Sequence, residues 1–258
     1  MRNFPTELVD LVIDKLVEPS GPGEPYLFIS NYSTISRQWL NRTQKHHFNT
    51  IHFSGVSGIE RWRKVIAPDP SGVSRHVRKI SWRGVDTLHD FDELLRAFTR
   101  VVHVLVMDCK FFKSSSELAF LAPLGSSLER LEIKWMSGEV EPLANFLAGL
   151  PHLRQLCVEK LTFSRRDTDL PIIPFFEGAN SLDLLLRGGF SPGDTDWIPP
   201  TARFYDLRID TACIKNNHGL VNQWLRSSAG SLERFTINDG ELGTCPNPNV
   251  PLSPTSPL

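Results

Sequence analysis

A short frame, apolar-x-x-apolar-x-apolar, recurs through the middle of this chain and limits what the chain can fold into more than any other feature. It reads Val77, Ile80, Trp82; then Val101, Val104, Val106; then Leu128, Leu131, Ile133; then Leu153, Leu156, Val158. Later copies are Ala179, Leu182, Leu184; Phe204, Leu207, Ile209; and Leu232, Phe235, Ile237. Copies begin about 24 to 28 residues apart, a period long enough for one strand and one return segment. The phrase Ser-Leu-Glu-Arg stands at both Ser127–Arg130 and Ser231–Arg234. Matching Ser181-Leu182-Asp183 to that phrase moves the fifth copy by three residues, so its register stays open.

No single copy can bury its own apolar face, so neighbours must supply the core. Strand, return and strand at a fixed short period imply parallel strands stacked into a curved solenoid. Several return segments have helical spacing: Phe91, Leu94, Leu95, Phe98; Leu143, Phe146, Leu147, Leu150; and Leu220, Val221, Trp224, Leu225. Pro171, Pro174, Pro199 and Pro200 make two others poor helices. The alternative is a chance alternation of strands and helices in an ordinary α/β domain.

Residues flanking the central apolar position of each strand point away from the core. They are Lys79 and Ser81, His103 and Leu105, Arg130 and Glu132, Gln155 and Cys157, Asp206 and Arg208, and Arg234 and Thr236. Repeat proteins usually bind on the concave surface that such positions form, and its mixed charge suits a protein partner.

The first 53 residues have another character. Pro5 stands where a helix begins, and Leu8, Leu11, Val12 and Leu16 follow at helical spacing opposite Glu7, Asp10 and Asp14. A Gly/Pro-rich stretch, Glu18 to Pro25, ends that helix. A second helix is expected from Leu27 to His47, with Tyr32, Ile35, Trp39 and Leu40 on its apolar face. At the other end, residues 243–258 carry five prolines and read as a disordered tail. Its Ser-Pro dipeptides, at Ser253 and Ser256, are weak signals for proline-directed kinases. The expected division is therefore 1–53, 54–242 and 243–258.

The N-terminal segment resembles an F-box. That family opens with Leu-Pro-x-Glu-Leu-x-x-x-Ile-x-x-x-Leu, and Phe4, Pro5, Glu7, Leu8, Val12 and Leu16 follow it here. Its later half has a Cys-Arg-x-Trp signature, matched by Ser36-Arg37-Gln38-Trp39 with Arg42, Lys45 and Phe48 behind. Phe4 stands where the family has Leu, and the interhelical linker is longer. The period of the middle segment resembles that of leucine-rich repeats, which are known to follow F-boxes. The resemblance implies an α/β repeat fold: a small helical F-box module, then an irregular leucine-rich-repeat solenoid with parallel strands. It also implies docking on a Skp-type adaptor, and through it a cullin, by Phe4, Pro5, Leu8, Val12, Leu16, Ile35 and Trp39. The repeats would hold a protein substrate.

Other classes find little support. Formal net charge is −1, which argues against a protein built around nucleic acid. No stretch is long and apolar enough to span a membrane, and the N-terminus lacks a signal peptide's uncharged core. Cys109, Cys157, Cys213 and Cys245 are widely spaced, as reduced thiols of a cytoplasmic or nuclear protein would be. Walker, nucleophile-elbow and dinucleotide motifs are missing, so neither an enzyme nor a cofactor is expected. His46-His47 lacks a third ligand at metal spacing and reads as a solvated helix end. From Glu60 to Arg83, seven basic residues (Arg61, Arg63, Lys64, Arg75, Arg78, Lys79 and Arg83) face only Glu60 and Asp69. Such a stretch is either a solvated face or a site for an acidic or phosphorylated partner.

The leading expectation is a non-enzymatic substrate receptor of a cullin ubiquitin ligase. A repeat scaffold without ligase coupling and an α/β enzyme are the alternatives.

Overall fold

In a computed structural model the described residues are 5–17, 37–66, 72–84, 92–108, 123–138, 140–163, 182–188, 195 and 197–238. Phe4, the interhelical linker 18–25, residues 27–36 of the expected second helix with Ile35 among them, and the tail at 243–258 lie outside them. Among the described residues eight strands form one sheet: β1 (Thr50–Ser54), β2 (Lys79–Arg83), β3 (His103–Met107), β4 (Arg130–Gly138), β5 (Gln155–Phe163), β6 (Asp183–Arg187), β7 (Asp206–Asp210) and β8 (Arg234–Asn238). Their order is that of the chain, and every neighbouring pair is parallel. Parallel neighbours need a crossover at each step, which is what the short period provides.

The predicted frame becomes a ladder. Ile51, Ile80, Val104, Leu131, Leu156, Leu184, Leu207 and Phe235 stand side by side at one level. Phe53, Trp82, Val106, Ile133, Val158, Leu186, Ile209 and Ile237 form the next. All but the last member of each level are buried in one continuous core. Phe53 and Trp82 stack with ring centres 5.6 Å apart. On β8, Phe235 and Ile237 are exposed, because no further strand among the described residues covers them.

Two expectations need correction. The sheet begins at Thr50, before the boundary placed at 53, because Ile51 and Phe53 supply another pair of core positions. The fifth copy takes neither register considered: Leu184 and Leu186 pair with Leu156 and Val158, two residues later than the frame on Leu182 and Leu184. A shift of two preserves the pleat, so burial of one face cannot distinguish these registers; only alignment with β5 and β7 does.

The inner coils turn alike. Gly84, Asp108, Trp135, Lys160 and Gly188 all have positive φ, from +52° to +83°, and each directly follows a register-matched residue of its strand. β1 and β7 instead run straight into helices, α3 (Gly55–Ile66) and α6 (Thr211–Ser227). A shorter helix α4 (Asp92–Arg96) and α5 (Val140–Ala148) return the chain elsewhere, burying Leu94 and Leu95, and Leu143 and Leu147, in the core.

Ahead of the sheet, α1 (Thr6–Val17) packs on α2 (Arg37–His47). Val9 and Ile13 of α1 are buried, each 1% exposed, while Leu8, Leu11 and Val12, the face marked by the apolar spacing, stay open. Asp10 meets Arg42 Nε at 3.5 Å, and the buried Thr43 hydroxyl donates to the carbonyls of Trp39 and Leu40. Phe48 then packs edge-on against Trp62 of α3, at 6.1 Å.

Candidate functional site

Strand pleating places alternate residues on opposite faces, so one face of the sheet is apolar and buried and the other is open. The open face begins with Lys79, His103, Arg130, Gln155, Asp183, Asp206 and Arg234 in one cross-strand row. The second row is Ser81, Leu105, Glu132, Cys157, Leu185, Arg208 and Thr236. Every residue predicted for this face from sequence stands in these rows. Asp183 and Leu185 join them once the fifth register is known. A third row, from Arg83 and Met107 through Lys134 and Glu159 to Arg187, was not anticipated, because the frame ends at its last apolar residue.

These side chains interlock. Glu132, nearly buried, accepts from Arg130 Nε at 3.0 Å and meets His103 Nε2 at 2.8 Å. Lys134 Nζ lies 3.4 Å from Glu132 and 3.7 Å from Glu159. The hydrogen bond to His103, with Arg130 and Lys134 adding charge, outweighs desolvation and pulls the Glu132 carboxyl down to about 2. Arg130 also donates to Gln155 at 3.2 Å, and Gln155 donates to Asp183 at 3.0 Å. Hydrogen bonds thus link four successive strands, β3 to β6.

A second centre lies on β7. Asp206 is buried and accepts from Arg208 on its own strand and from Arg234 on β8, the latter at 3.3 Å. Between the two centres a shallow depression of about 70 Å³ is lined by Arg130, Gln155, Cys157, Asp183, Asp206 and Arg208. Burial, with Glu132 close by, pushes the Cys157 thiol up to about 11. Lys79 is lowered from its ordinary value, chiefly by burial; Arg130 and Lys134 add to this, while Glu132 opposes it. Among the described residues no group of three His, Cys, Asp or Glu side chains is placed to hold a metal ion. None of their helices is long and apolar enough to cross a membrane.

The helix pair carries the other predicted residues. Pro5 is exposed at the start of α1, where its carbonyl accepts from the Leu8 and Val9 amides. Leu8 is 45% exposed and Val12 42%, with Leu11 more open still. Leu40 on α2 is also exposed, while Trp39 is half-buried. Leu16 lies in the last turn of α1. Phe4 and Ile35 fall outside the described residues.

No protein-family model matches the chain, and no curated protein matches it. Seven chains of solved structures do. One belongs to the crystal structure of a Rad7 and Elc1 complex in yeast. It is 13% identical, with 90% of this chain and 68% of that chain covered at a TM-score of 0.39.

Proposed function

We propose that the chain is a substrate receptor of a Skp–cullin–F-box type ubiquitin ligase, binding a Skp-type adaptor through α1 and α2 and a protein substrate through the open face of the sheet. One observation carries the reading. Val9 and Ile13 satisfy the packing of α1 on α2, so Leu8, Leu11 and Val12 remain as an apolar helical face toward solvent. That face coincides with the run that resembles the F-box, and an amphipathic helix docks by laying such anchors into a partner's groove. Phe4, Pro5, Leu16, Ile35 and Trp39 complete the adaptor contact in this reading. The role needs no catalytic residue or cofactor: the chain would act by bringing the substrate near the cullin-bound machinery.

The open face supplies the second contact. Its polar rows are held by cross-strand hydrogen bonds, which fixes donors and acceptors before a partner arrives and lowers the ordering cost of binding. A pull-down of a purified Skp-type adaptor by the full chain tests the proposal. Binding by wild type, and its loss in Leu8→Asp/Val12→Asp with the sheet still folded, are the expected results. Wild-type chain that captures no adaptor at micromolar concentration would overturn it.

A further inference from the structure

On the open face Arg130, Lys134, Arg208 and Arg234 each meet a carboxylate. A second group of cations, away from that face, meets none among the described residues. Three segments assemble it. Lys45 stands in the last turn of α2, and Arg75 and His76 lie in the 3-10 turn Ser74–His76. Arg78 follows that turn just ahead of β2, and Arg100 lies just ahead of β3.

The backbone fixes their convergence. The Asn49 carbonyl accepts from the amides of Arg78 and Lys79, both at 2.9 Å. The Arg78 carbonyl in turn accepts from Val102 at 3.0 Å and His103 at 3.1 Å. The Arg78 guanidinium donates to the Arg100 carbonyl at 3.3 Å, and Arg75 Nε donates to His76 Nε2 at 3.2 Å. Lys45, Arg75, Arg78 and Arg100 are exposed. After burial, the charges acting on His76 are those of Arg75, Arg100 and Lys45, and all of them disfavour its cationic form.

We propose that Lys45, Arg75, Arg78 and Arg100 form a docking site for an anionic segment of a partner protein, whose carboxylate or phosphate groups the guanidinium forks would hold. Guanidinium planes bind such oxyanions in bidentate fashion, which a solvated lysine face does not reproduce. A protein segment is favoured over nucleic acid because the chain's formal net charge is −1, whereas a nucleic-acid-binding domain is expected to be strongly basic. Lys45 is carried on α2, but none of the four cations is among the proposed adaptor contacts, so the site stands whether or not those contacts dock an adaptor.

The test titrates the full chain with fluorescein-labelled hexaglutamate and with a phosphoserine peptide of equal length, read by anisotropy at low and raised salt. Binding that weakens with salt is expected, and Arg75→Gln/Arg78→Gln/Arg100→Gln should lose about tenfold or more. Lys215→Gln, which removes an exposed cation on α6, should bind as wild type does. Tighter binding of the phosphopeptide would assign phosphate as the recognised group, and equal or tighter hexaglutamate binding would assign carboxylate. The His76 ring titration, followed by NMR, should move upward on peptide addition. Should the triple variant fail to fold, Lys45→Gln and Arg100→Gln tested singly should each weaken binding and reduce that movement. The proposal falls if neither peptide binds, if the substitutions leave binding unchanged, or if a single-stranded oligonucleotide binds more tightly than both peptides.

Discussion

His103 Nε2 stands 2.8 Å from Glu132 Oε1 across the boundary between β3 and β4. The contact ties two strands on the open face, and Arg130 and Lys134 reinforce the same carboxylate. Glu132 titrates near 4.5 when unconstrained and is held at about 2 in the fold. A carboxyl lowered by folding adds stability above its unfolded value, and that stability disappears as pH falls through its folded value. The contribution should therefore be complete above about pH 5 and mostly gone near pH 2, with a size on the order of 3 kcal/mol. Urea melts of wild type and Glu132→Gln across that window measure it. Their difference should shrink steadily on acidification; a difference independent of pH would refute this account of Glu132.

Two substitutions on α1 should separate packing from docking. Ile13 is buried against α2, so Ile13→Ala should destabilise the helix pair by about 2–4 kcal/mol. Leu8→Asp/Val12→Asp replaces exposed side chains and should change stability by no more than about 1 kcal/mol. Thermal melts followed by circular dichroism provide the comparison. Comparable losses in both variants would mean that Leu8 and Val12 pack inside the protein, which removes the free apolar face.

Much of this architecture is written in the chain because the parallel ladder repeats one rule at every strand. Leu131 and Leu156 announce their positions by spacing alone, and Glu132 is assigned to the open face by falling between Leu131 and Ile133. The remainder depends on contacts that spacing does not encode. Leu182, Leu184 and Leu186 have the same parity, so the fifth copy had three pleat-compatible apolar residues for two core levels. On α1, Leu8 and Val9 are adjacent and both apolar; which of them faces inward depends on where α2 lies. The convergence of Lys45 and Arg100 beside Arg75 was likewise invisible, because these residues are brought together only by the return of the chain. The interlocking of the open face belongs here too: the rows were predictable, but the pairing of Asp206 with both Arg208 and Arg234 is a property of side-chain reach.

The positive-φ turn offers a sharper test of the coil geometry. Gly188 has φ +83°, its amide donates to the Asp210 carboxylate at 2.7 Å, and a Cβ there would stand 2.5 Å from Lys160 Cγ. Gly84 holds the matching conformation one end of the ladder away, with nothing within 4 Å of a Cβ. Gly84→Ala should cost only the conformational penalty, about 1–2 kcal/mol. Gly188→Ala adds a clash with a side-chain stem packed on the neighbouring coil and should cost more, about 2–4 kcal/mol. Equal losses in chemical denaturation would show that Lys160 moves aside freely.

The thiols give a readout of whether the sheet and α6 close as described. Cys157 lies on the open face between Glu132 and Leu185, and Cys213 lies in the first turn of α6, on its buried side. Both are buried, and burial raises them to about 11 and about 12 respectively. The reactive species is the thiolate, so at pH 8 each should be almost entirely protonated as well as shielded. Iodoacetamide should therefore alkylate Cys157 and Cys213 slowly in the native chain and rapidly in urea, with site-resolved mass spectrometry separating them from Cys109 and Cys245. A partner occupying the depression beside Cys157 should slow its labelling further while leaving Cys213 unchanged, because only Cys157 lines that surface. Rapid native alkylation of Cys213 would contradict the seating of α6 on the sheet, since its sulfur is reached only by lifting that helix.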